Sequence, residues 1–166
     1  MPLQWPLKWL ICSSLWTEAQ ALPWNSGILK MHKRTRARRL VMLALYQADV
    51  LGHQHTDDAR QWLDARAGRM ELHDFAMELF NHTVKNIEEI DGIIESIAEN
   101  WHLKRMAAID RALLRIAVCE LIYYQDAPPK VIINEAVELA KLYSTTASGA
   151  FVNGILDRIH RDRAAQ

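Results

Sequence analysis

The chain has 166 residues, half of them apolar, with 20 basic and 20 acidic side chains. That composition fits one globular domain, or two small helical halves sharing a core, and excludes a disordered chain. Zero formal net charge removes the overall basic excess common among nucleic-acid binders, so any such function must rest on where the charges sit.

Residues 1–30 differ from the rest. They hold four of the six tryptophans, three of the five prolines and only three charged residues, with no helical period. Trp5, Trp9, Trp16 and Trp24 could anchor on a partner or a membrane surface. The preferred reading is a poorly structured N-terminal extension from a start assigned too far upstream, with Met31 opening the natural domain, 31–166. The stretch WLICSSLW followed by AQA has the outline of a signal peptide, but it is short and broken by two serines. No apolar run approaches the roughly 18 residues of a membrane span.

Hydrophobic periodicity predicts a first helix over about Thr35–Leu51, with Leu40, Leu43, Ala44, Gln47 and Val50 on the inward side and Gly52 as its stop. Thr56, followed by Asp57 and Asp58, reads as an N-cap with acids in the first turn. That short helix turns Trp62 and Leu63 inward and ends near Gly68. The next begins near Glu71, with Leu72, Phe75, Ala76, Leu79, Phe80 and Thr83 on one face. Ile87, Ile90, Ile93, Ile94 and Ile97 continue the pattern after a break between Asn81 and Asn86. Gly92 is tolerated inside that segment at a cost near ~1 kcal/mol.

Met106–Tyr124 is the most apolar helix and the expected centre, with one broad stripe through Ile109, Ala112, Leu113, Ile116, Ala117 and Leu121. A second runs through Leu114, Val118 and Ile122. Asp126 and Pro128-Pro129 end it, and Pro129 suits the first turn of the next helix, where a missing N–H costs nothing. That helix runs to about Tyr143. Ser144–Gly149 reads as a loop, and a last helix spans about Ser148–Arg161. No strand pattern competes. The expected fold is all-α, about seven helices in two linked bundles. The first helix and the isoleucine-rich helix form one group, and the last three helices the other.

The strongest chemical signal is Lys33-Arg34-Thr35-Arg36-Ala37-Arg38-Arg39, five basic residues in seven positions with no acid until Asp49. Arginine forks match phosphate geometry and stack on bases. A solvated helix start and a docking patch for an acidic protein remain as alternatives, but positive charge opposes the dipole at a helix N-terminus, which argues against a purely stabilising role. Catalytic constellations are not found. Gly149 and Gly154 are isolated and make no phosphate loop. The histidines form no HExxH, and Cys12 and Cys119 no CxxC, so neither a metal nor a cofactor is expected. Cys119 reads as a small buried hydrophobe in a reducing, cytoplasmic setting. Asp110 and Glu120 are ten residues apart on one helix, too far to share a substrate atom. The polar residues set among apolar ones point to buried side-chain networks, with Arg115 paired to Glu120 or Glu135.

Several segments carry a resemblance. Arg36-Ala37-Arg38-Arg39-Leu40 with Ala44-Leu45-Tyr46-Gln47 resembles the opening helix of the NusB transcription antitermination family. Ile109-Asp110-Arg111-Ala112-Leu113-Leu114-Arg115-Ile116-Ala117 with Glu120-Leu121 resembles its central helix. Pro128-Pro129-Lys130-Val131-Ile132-Ile133-Asn134-Glu135-Ala136 and Phe151-Val152-Asn153-Gly154-Ile155-Leu156-Asp157 are similar to its most specific signatures. The match covers about residues 33–160.

The resemblance implies a non-enzymatic factor. It would bind the single-stranded boxA element of ribosomal-operon RNA together with the small-subunit ribosomal protein NusE. With other Nus factors and RNA polymerase it would suppress premature termination. Carried over by position, Lys33, Arg34, Arg36, Arg38 and Arg39 would hold RNA, with Phe75 and Phe151 beside its path. Tyr46, Asp110 and Arg111 would meet the ribosomal protein. Relatives occur as monomers and homodimers, which leaves the oligomeric state open.

Three departures stand out. His82 replaces a usual glycine, and Ala147 and Ala150 replace an acid and a base in the loop before Phe151. Losing that base would lower RNA affinity, because each phosphate contact adds to a salt-dependent term. Two other readings are a protein-interaction module lacking RNA binding and the accessory RNA-binding domain of an rRNA-modifying enzyme. The second would need a following α/β cofactor-binding pattern, which the sequence to Gln166 does not carry.

Overall fold

A computed structural model describes residues 33–68, 72–98, 102–124 and 127–165. The expectations for residues 1–30 and the role of Asp126 lie outside those residues. Seven α-helices follow in chain order: α1 (Lys33–Leu51), α2 (Thr56–Ala67), α3 (His73–Lys85), α4 (Ile87–Ile97), α5 (Ala108–Ile122), α6 (Pro129–Tyr143) and α7 (Thr146–Ala164). Short 3₁₀ turns at His53–His55 and Leu103–Arg105 complete the described elements.

The punctuation follows local chemistry. Gly52 stops α1 with φ +98°, a left-handed conformation that side chains resist. Asn86 closes α3 and opens α4, where the break was expected. Pro129 is the first residue of α6, its missing N–H falling among the donors that have no helical partner. Several helix ends shift by two or three residues from the sequence reading, and two of the shifts have a local cause. Thr56 is already helical, and the cap position is His55, whose Nδ1 lies 2.9 Å from Asp58 Oδ2. The last helix starts at Thr146, because the Thr145 hydroxyl accepts from Ser148 N at 3.0 Å and turns an apparent loop sequence into a capped helix start.

Helix α5 is buried along both predicted stripes, from Ala112 through Cys119, and is the axis of the described helices. Helices α1, α2 and α3 pack on one another and reach α5 through α1 and α3. Helices α6 and α7 form a tight pair against its other side. The isoleucine-rich α4 has α5 and α7 as its main neighbours, so it joins the second group instead of the first.

The inward face of α1 is also rotated from expectation. Ala37, Val41, Met42, Ala44, Leu45 and Ala48 are buried, whereas Val50 is exposed and Leu40, Leu43 and Gln47 are partly so. The run from Leu40 to Leu45 is apolar on every side, so its period does not choose a face. Ion pairs at each end of the helix, through Arg38 and Asp49, do.

Candidate nucleic-acid interface

The basic segment forms the first turns of α1, and the helix divides it. Lys33 and Arg36 are exposed, and Arg34 is half-buried. Thr35 and Arg38, on the inward side, are buried. Arg38 makes a two-pronged ion pair with Glu120 of α5, Nε to Oε1 at 2.7 Å and Nη2 to Oε2 at 2.6 Å. Its Nη1 lies 3.7 Å from Glu135 Oε2 of α6, and that same oxygen accepts a hydrogen bond from the Thr35 hydroxyl. With a side chain 4 % exposed, Arg38 is a framework residue and not the free phosphate ligand that its position in the segment suggests.

The far end of α1 repeats the device with the charges reversed. Asp49 is the lone acid of that helix and is paired with Arg111 and Arg115 of α5. Arg115 also holds Asp91 of α4 through two 2.7 Å hydrogen bonds. Burial works to raise the Asp49 carboxyl, but the two guanidiniums outweigh it and hold the group below its ordinary value of 3.8. Burial likewise opposes the charge on Arg115, and Asp91 and Asp49 outweigh it. Arg111 further donates to the carbonyls of Leu103 (2.6 Å) and Met106 (3.0 Å), fixing the turn that leads into α5. These pairs replace the expected pairing of Arg115 with Glu120 or Glu135.

Above this frame, the Arg34 and Arg38 guanidiniums lie 5.3 and 5.6 Å from the centroid of Phe75 on α3. Each such contact contributes on the order of 0.5–2 kcal/mol, depending on desolvation. Phe75 is 7 % exposed, so its ring presents the arginines and does not itself offer an open stacking face. Tyr124 packs edge-on against Phe75 at 5.7 Å and donates from its hydroxyl to Glu78 at 2.6 Å. Arg39 is half-buried and lies near the Tyr143 hydroxyl, where its charge partly offsets the upward push of burial on that group.

The remaining predicted residues separate. Phe151 and Tyr46 are half-buried at the surface of α7 and α1. Asp110 is 6 % exposed, and Arg111 is committed to Asp49 and two carbonyls. Neither offers the open docking group the resemblance assigns to it. Cys119 is fully buried beside Thr83, with its thiol pushed up to about 11 by burial. Among the described residues no cluster of side chains could hold a metal ion, and no helix is long and apolar enough to cross a membrane.

Sequence reasoning missed Asp49 as the hub of the α1–α5 lock and Tyr124 as the neighbour of Phe75. A signal for Asp49 existed: an acid in the last turns of a helix opposes the dipole there and calls for a cation from elsewhere.

The model of the NusB family matches residues 35–161, which is most of this folded region. The chain belongs to the NusB family. It is 48% identical over 139 residues to the transcription antitermination protein NusB of Salinibacter ruber, covering 80% of this chain and 83% of that one. It is 45% identical over 129 residues to the NusB of Anaeromyxobacter dehalogenans strain 2CP-1, covering 76% and 89%.

Among solved structures, NusB of T. maritima superposes with a TM-score of 0.70 at 35% identity, over 80% of this chain and 93% of that one. A crystal structure of antitermination factors NusB and NusE in complex with dsRNA matches with the same TM-score at 30% identity, over 80% and 98%. NusB proteins are transcription regulators and not enzymes.

Proposed function

We propose that this NusB-family chain binds the boxA element of nascent ribosomal-operon RNA, as a single strand, together with NusE, and so prevents premature termination of transcription in the cytoplasm. Other Nus factors and RNA polymerase join through that complex. The observation that carries the reading is the division of labour in the first turns of α1. Arg38 and Thr35 fasten the helix to Glu120 and Glu135, while Lys33 and Arg36 stay exposed and Arg34 rests on Phe75.

A fixed helix end with outward cations holds a phosphate backbone at less ordering cost than a flexible arm. The neutral balance of the whole chain limits indiscriminate binding. Tyr46 and the half-buried Phe151 remain the candidate contacts toward protein and RNA on neighbouring surfaces. A related NusB has been crystallised with NusE and dsRNA, which supports RNA and NusE in general as partners here.

The test is an anisotropy titration of the full chain with a boxA-type single strand and a scrambled control, each with and without NusE. Selective binding strengthened by NusE is expected. Equal binding of both RNAs would sink the reading. It would favour a protein-interaction module, whose motivation is that Ala147 and Ala150 stand exposed where the family resemblance leads one to expect an acid and a base.

A further inference from the structure

Beyond the basic turns of α1 the surface continues as a row of rings. Arg34 covers Phe75, Phe75 meets the Tyr124 ring, and Tyr124 meets His82, whose centroid lies 6.2 Å away at 59°. His82 is exposed and Tyr124 is half-buried. Tyr124 is also fixed in place by its 2.6 Å hydrogen bond to Glu78, one helical turn from His82 on α3. A ring so held loses little freedom when a flat partner lies on it.

Lys85 follows His82 at the end of α3 and is exposed, so a cation lies beyond the rings as well as before them. Exposed Glu88 and Glu89 then open α4 and end any track attractive to phosphate. Aromatic rings interleaved with cations are the arrangement that takes unstacked bases, because every base has a π face and its phosphate seeks the neighbouring charge.

We propose that Tyr124 and His82 form a stacking shelf for bases of a single-stranded RNA whose backbone is held by the first turns of α1. This inference rests on the RNA-binding reading above and extends it to a second, base-directed subsite. The shelf belongs to this chain in particular, since His82 occupies a position where the family resemblance leads one to expect glycine, which has no ring. Glu88 and Glu89 limit it to a short stretch of RNA.

The experiment titrates a boxA-type single strand against the full chain and against Tyr124→Leu, His82→Ala, the double variant, Tyr124→Phe and Arg36→Ala, at several salt concentrations. The double variant is expected to bind about tenfold more weakly or worse, with the salt slope unchanged, because stacking releases no counterions. Tyr124→Phe retains the ring but loses its tether to Glu78, and should bind more tightly than Tyr124→Leu. Arg36→Ala should weaken binding and flatten the slope. Circular dichroism melts of the same variants identify any that fail to fold. A 4-thiouridine-labelled strand should crosslink to Tyr124 or His82 in the wild-type chain, an observation independent of variant folding.

Wild-type affinity in the folded double variant, with Arg36→Ala still weakened, overturns the shelf and leaves the basic turns standing. Crosslinks confined to other residues overturn it too. No RNA binding by the wild-type chain overturns both readings together.

Discussion

Arg38 and Arg36 are two residues apart and have opposite fates. Arg38 is buried in a two-pronged pair with Glu120, and Arg36 points to solvent. Removing one partner of a buried pair leaves the other charge uncompensated, which costs about 3–5 kcal/mol. Glu120→Gln is therefore expected to lower unfolding stability by roughly that amount in a urea titration, whereas Arg36→Ala should stay within about 0.5 kcal/mol of wild type.

The same logic applies at Asp49 with a sign set by pH. Its folded pKa is depressed, so its stabilisation is fully present above its ordinary 3.8 and disappears as pH falls through the lower folded value. The stability gap between wild type and Asp49→Asn should be widest near neutrality and close below pH 3.8; a gap constant with pH would contradict the assignment. None of this sorting was legible in the segment itself. Five cations within seven positions look alike until the fold brings Glu120, 82 positions away, against one of them.

At the scale of elements, most helices could be read directly. The stripes on α3 and α5 and the Asn86 break follow from apolar spacing, and the start of α6 follows from proline chemistry. The face of α1 could not be read, since its apolar run offers two choices and buried ion pairs select between them. The start of α7 was hidden in Ser144-Thr145-Thr146, residues as common in loops as in caps.

Gly92 sits inside α4, exposed, with nothing within 4 Å of where a Cβ would be. Its conformational freedom is thus a cost with no packing return. Gly92→Ala should raise stability by about 0.4–1 kcal/mol, checked by thermal or urea unfolding, and a loss would mean that the position serves something other than helix continuity.

For the molecule as a whole, the organising feature is the antiparallel lock between α1 and α5. A base near the start of α1 meets an acid near the end of α5, and the acid near the end of α1 meets two bases, Arg111 and Arg115, in the first half of α5. Sliding either helix by one turn would strand several buried charges, so the lock fixes one register, a role well attested for buried polar groups. It also sets which cations of α1 face outward. Here the sequence reading was right about helix count and family but assigned α4 to the wrong group, because isoleucine spacing reports a buried face without naming the neighbour that buries it.

The central claim is that this lock leaves Lys33, Arg34 and Arg36 to carry the RNA backbone. The most direct measurement is the salt dependence of RNA affinity for the wild-type chain and for Arg36→Ala. Losing one phosphate contact to a single strand should reduce the slope of log affinity against log salt by about 0.7 and weaken binding at every salt concentration, with the melting temperature unchanged. An unchanged slope and affinity would contradict the claim and remove Arg36 from the interface.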